Sequence, residues 1–116
     1  MDHVFYFDGD GDEISWKIET RGSIAEQNRE HAQMYKNKVT NLQSKYIAFH
    51  IGLFWAIGVF IIKNQDSIKV MCHEKEMFEH FKFNKEVDDD FIKKRTKFIK
   101  QLISQRKLKI EFELVQ

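Results

Sequence analysis

Residues that could do chemistry gather in three places along this chain. Asp8, Asp10, Asp12 and Glu13, spaced by Gly9 and Gly11, form an acidic turn directly after the apolar run Val4-Phe5-Tyr6-Phe7. Aspartate and glycine favour turns, because aspartate bonds its own backbone and glycine reaches left-handed conformations. Clustered carboxylate oxygens equally suit a hard cation such as Mg²⁺ or Mn²⁺. A calcium loop is disfavoured, since neither a glutamate at loop position 12 nor flanking helices are evident. Asp66 is the second place, just past the apolar run at 59–62. The third is residues 93–109, with eight Lys or Arg (Lys93, Lys94, Arg95, Lys97, Lys100, Arg106, Lys107, Lys109) and no acid, after a stretch at 74–90 with seven acids. A phosphate-binding face has this asymmetry, and so does the solvated side of an amphipathic helix. His73 has no second His or Cys at zinc spacing, so it reads as a surface side chain. Cys72 reads as a small buried residue on a helix face.

Composition narrows the classes. A chain of 116 residues makes one domain, 1–116, with a single modest core supplied largely by its 11 phenylalanines. The formal net charge of +1 excludes a polycation or an acidic tail protein. A lone cysteine excludes an internal disulfide framework and fits a reducing, cytoplasmic setting. The acidic N-terminus lacks a signal-peptide pattern. The apolar run at 49–62 falls short of the roughly 20 residues that a membrane span needs, so no membrane partner is expected.

The elements that must position these groups follow from periodicity. Val4-Phe5-Tyr6-Phe7 is β-prone, and residues 13–20 alternate Ile14, Trp16 and Ile18 against polar neighbours, as a half-buried strand does. Residues 24–38 have helix-forming composition, yet their polar character also suits an edge strand, which is the reading adopted. Leu42, Tyr46, Phe49, Leu53 and Ile57 recur every three or four residues and predict a buried helical stripe. Gly58 stands where a left-handed residue would end that helix. Val59-Phe60-Ile61-Ile62 has no polar face and predicts a central strand with Asp66 past its carboxyl end. Ser67 would then cap a helix carrying Ile68, Met71 and Cys72, with a second helical turn bearing Met77, Phe78 and Phe81. Asp88-Asp89-Asp90 place negative charge at the start of an amphipathic helix ending near Arg106, and residues 108–115 alternate as a last strand.

Read together, Thr40-Asn41, Tyr46, Ala48-Phe49, Gly52-Leu53, Ala56 and Gln65-Asp66-Ser67 resemble the ribonuclease H family, type I. Phe7-Asp8-Gly9 is similar to that family's first-strand aspartate and glycine, and Ile110-Glu111-Phe112-Glu113-Leu114-Val115 to its last strand. The resemblance implies an α/β mixed sheet in the order βββαβ, helices, β, with helices on both faces and the C-terminal helix lacking. It implies that Asp8 and Asp66 converge as two of four metal-binding acids, with Mg²⁺ or Mn²⁺ as the cofactor if there is one; Asp10, two residues from Asp8, could swing in as a compensating ligand. Lys45 occupies the family's glutamate position, and the fourth aspartate is absent.

The expectation is therefore a degenerate domain that binds RNA–DNA hybrid or RNA through Thr40, Asn41, Lys93, Lys94, Lys97 and Lys100, with catalysis lost or impaired. Lys45 would pair with the converging Asp8 and Asp66 in place of a metal. Two alternatives stand beside it. One is a protein-interaction or inhibitor module, including a homodimer. The other is a metal-dependent hybrid nuclease with rearranged carboxylates, to which Glu111 or Glu113 could contribute.

Overall fold

The computed structural model describes residues 1–115. Three antiparallel strands open the chain: β1 (Asp2–Gly9), β2 (Glu13–Thr20) and β3 (Ser23–Glu30). Helix α1 (Asn41–Gly58) leads to β4 (Ser67–Cys72), α2 (Lys75–Phe83), α3 (Asp90–Arg106) and β5 (Lys109–Leu114). The sheet order is β3-β2-β1-β4-β5, with β4 parallel to both β1 and β5. The edge-strand reading of the polar segment holds for Ser23–Glu30, while residues 31–39 form no strand and turn at 33–38.

Alternation decides which face is covered. Phe5, Phe7, Ile14, Trp16, Ile18, Ile68, Val70 and Cys72 are buried on one face of the sheet. Tyr6, Lys17, Lys69 and Glu111 point the other way, by the period of two along each strand. Phe112 of β5 stacks on Phe81 of α2 and meets Phe49 of α1 edge-on, so both helices share the apolar face. Helix α3 packs on α1. The expected helices on both faces are thus corrected: all three lie on one side, because only that side of the strands is apolar.

Gly52 lets the middle of α1 pack closely on the sheet. A Cβ there would stand 2.8 Å from both the Phe5 ring and the Trp16 indole. At its start, α1 carries a capping box: Thr40 accepts from the Gln43 N–H while the Gln43 side chain accepts from the Thr40 N–H.

The chain leaves α1 differently from the sequence expectation. Gly58 lies within the helix, and the left-handed residue is Phe60, at φ 64°. Residues 59–62 form no strand, since the N–H groups of Ile61 and Ile62 bond back to Ala56. Ile62 is buried under the sheet end, whereas Phe60 is exposed. The strand is instead Ser67–Cys72, where a helix was expected, so Cys72 is a buried strand residue. Among the described residues, no helix is long and apolar enough to cross a membrane.

Candidate functional site

The parallel register places Asp8 and Asp66 at opposite ends of the sheet. Asp2 pairs with Ser67 and Tyr6 with Met71. Asp66 is therefore level with Met1, seven strand residues and roughly 23 Å from Asp8 at 3.3 Å per residue. The expected convergence does not occur, because Asp66 precedes β4 instead of following it. By the same register the residue beside Asp8 is His73, in the exposed bend that follows β4.

Asp66 instead closes a buried network. It accepts from His3 Nε2 at 2.8 Å, from the Lys63 N–H at 2.8 Å and from the N-terminal ammonium at 3.2 Å. His3 Nδ1 lies 2.6 Å from the Thr20 hydroxyl. Burial pushes the Asp66 carboxyl up, but its bonds to His3, Lys63 and the terminal ammonium outweigh this and hold its pKa at about 2. This carboxylate is spent on tying β1, β2 and the loop before β4 together.

Around Asp8 the structure builds a cleft of about 390 Å³, lined by Tyr6, Asp8, Ser15, Lys17, Lys45 and His73, among others. Asp8 is exposed, and its Oδ1 accepts from the Gly9 N–H at 2.8 Å. The start of α1 presses on Gly9, where a Cβ would meet Ser44 Oγ at 2.3 Å and the Ser44 backbone at 2.9 Å. Ser44 is fixed by His31, whose Nε2 is also 2.9 Å from the Asp10 carbonyl. This docking carries the next residue, Lys45, into the cleft. There its ammonium pairs with Glu74, which precedes α2, and not with the aspartates expected from sequence.

The other sequence candidates are placed as follows. Asp10 folds onto its own turn, with Oδ1 accepting from the N–H groups of Asp12 and Glu13. Those bonds to Glu13 and Asp12 lower its pKa. Its structural role is turn formation, as in an Asx-turn. Thr40 is engaged in the helix cap, and Asn41 is exposed beside it. Lys93, Lys94, Lys97 and Lys100 are exposed on α3, and none of them lines the Asp8 cleft. Glu111 and Glu113 lie on β5, two strands from Asp8, with Glu113 paired to Lys69 at 3.5 Å.

These residues do not fit a divalent metal. Asp8 is a single exposed carboxylate, its register neighbour is a histidine, and the Glu74 carboxylate is held by Lys45. Among the described residues, no three His, Cys, Asp or Glu side chains converge at metal-binding spacing. Sequence reasoning read His73 only as a surface side chain and missed Glu74 and His31. The signal for the first two was Ile68-Lys69-Val70-Met71-Cys72, whose alternation marks a strand that ends at His73.

Neither a protein-family model nor a curated protein matches the sequence. Solved structures do match. Ribonuclease H1 of the halophilic archaeon Halobacterium salinarum superposes with a TM-score of 0.78 at 18% identity, over 99% of this chain and 86% of that one. The N-terminal ribonuclease H domain of a Mycobacterium tuberculosis protein gives 0.76 at 18% identity, over 100% and 88%. LC11 ribonuclease H1, in complex with an RNA/DNA hybrid, gives 0.75 at 15% identity, over 97% and 84%. With its β3-β2-β1-β4-β5 mixed sheet, its three helices and these superpositions, the chain has the ribonuclease H fold.

Proposed function

We propose that this chain is a non-cleaving ribonuclease H-fold domain that binds nucleic acid, RNA–DNA hybrid or RNA, without a catalytic metal. The observation that carries the reading is the pair of neighbours of Asp8: a histidine on β4's end and a lysine from α1. Two-metal hydrolysis needs converging anions that clamp both ions. Here the charge beside Asp8 is an ammonium already engaged by Glu74. The binding half of the reading is supported by the exposed lysines of α3. It is supported also by the likeness to LC11 ribonuclease H1, which was solved with a hybrid.

The test joins a binding and a cleavage assay on one labelled RNA–DNA hybrid. The protein is expected to bind without cutting in Mg²⁺ or Mn²⁺. The Lys93→Glu/Lys94→Glu/Lys97→Glu variant should bind more weakly, with a flatter salt dependence. Cleavage that Asp8→Asn abolishes would overturn the loss of catalysis. Unchanged binding by the triple variant at low salt would overturn the role of α3.

A second reading, a protein-interaction module, is favoured by one surface. Phe54 of α1 and Phe98 of α3 are 65% and 43% exposed, and they share a groove with His50 and Leu102. A second copy seated there would bury on the order of 1,200 Å² or more in a stable dimer. Phe54→Asp should then convert a dimer to a monomer by light scattering, and a monomeric parent at high concentration would sink this reading.

A further inference from the structure

Away from Asp8, α2, α3 and the loop joining them enclose a cleft of about 340 Å³, lined by His80, Lys85, Lys93 and Lys100 with Glu86 and Asp88. His80 forms its floor and is only 9% exposed. Its Nδ1 lies 2.7 Å from the phenol oxygen of Tyr46, itself 1% exposed. That contact fixes the tautomer. The Tyr46 hydroxyl has no other partner among the described residues, and burying its proton without an acceptor would be costly. The phenol therefore donates to Nδ1, and the neutral ring carries its proton on Nε2.

The Nε2–H has no protein partner among the described residues. Nor is it sealed in, since the sealed, unpaired side-chain polar atoms among those residues are Trp16 Nε1 and Thr96 Oγ1. It opens into the cleft as a donor fixed by the core. Burial and the Lys100 ammonium hold the ring's pKa below its ordinary value, so the neutral donor persists at pH 7.

Charge then selects the ligand. Three ammonium groups face two carboxylates across the lining. Lys85 and Lys93 also reach Glu79 and Asp90, at 3.7 and 4.0 Å, while Lys100 has no carboxylate within 4.0 Å among the described residues. A fixed N–H beside uncompensated ammonium repels metal ions and suits an anion rich in acceptor oxygens. We propose that this cleft binds a phosphoryl group, with His80 Nε2–H donating to one oxygen and Lys93 and Lys100 balancing its charge. The site would hold phosphate whether or not the chain binds nucleic acid.

Nitrogen-15 spectra of the His80 ring, recorded at constant ionic strength, test this with two probes: inorganic phosphate and a dinucleoside phosphodiester. A saturable shift of His80 Nε2 is expected, and Lys93→Met/Lys100→Met should weaken it about tenfold. Those side chains are exposed, so the variant keeps the Tyr46–His80 bond and the fold. A response to the diester alone assigns the site to a nucleic-acid backbone. A response to inorganic phosphate alone assigns it to free phosphate or a monoester. No saturable shift with either probe, an equal shift with chloride, or an unchanged response in the double variant would overturn the proposal.

Discussion

The ammonium of Lys45, in the second turn of α1, pairs with the carboxylate of Glu74 beside the cleft that holds Asp8. This pair locks the start of α2 to the start of α1, and it uses up the acid closest to Lys45.

Lys45→Glu should therefore do two things at once. It breaks a pair whose side chains are 16% and 41% exposed, costing about 1–3 kcal/mol, between the limits for exposed and buried pairs. It also sets like charges together, so Mg²⁺ or Mn²⁺ should raise the melting temperature of the variant but not of the parent. Melting curves with and without metal decide the matter. Equal metal stabilisation of the parent would contradict the misfit of Asp8's surroundings to a metal.

Acid should weaken the fold through Asp66. Its folded pKa, about 2, lies below the ordinary value of 3.8. The stabilisation is thus complete above about pH 4 and is lost as pH falls toward 2. The shift corresponds to about 2 kcal/mol. Urea titrations across that range should show Asp66→Asn to be less stable than the parent at pH 6, with the gap closing in acid.

Gly52→Ala tests the contact of α1 with the sheet. The new methyl would sit 2.8 Å from two rings that are themselves immobilised in the core. Overpacking of this kind costs about 1–3 kcal/mol, or a melting temperature several degrees lower. A variant as stable as the parent would mean that α1 is free to shift outward.

Cys72 should report global opening. It is fully buried on β4, and burial pushes its thiol up to about 12. Thiol reagents react with the thiolate, so labelling in native buffer should proceed only through unfolding. Its rate should rise with urea in step with the unfolding equilibrium. Rapid labelling without denaturant would show that β4 detaches locally.

Much of the fold was legible in the sequence because period-two and period-3.6 patterns report burial directly. The half-buried alternation of β2, the stripe of α1 from Tyr46 to Leu53, the acidic cap of α3 and the last strand were all read correctly. Asp8, at the end of an apolar strand, was also placed correctly. Residues 59–62 misled because an apolar run signals burial without saying which backbone bonds are made. Here those bonds return to α1.

What the tertiary structure alone decided is which residues meet. Taking the strand eight residues too early moved Asp66 from one end of the sheet to the other. In a parallel pair, the register sets every neighbour. The partners of Lys45, His3 and His80 are likewise 29, 63 and 34 residues away in sequence. No local pattern encodes such pairs. They arise when packing brings separate elements within hydrogen-bond reach and excludes the water that would otherwise satisfy each group alone.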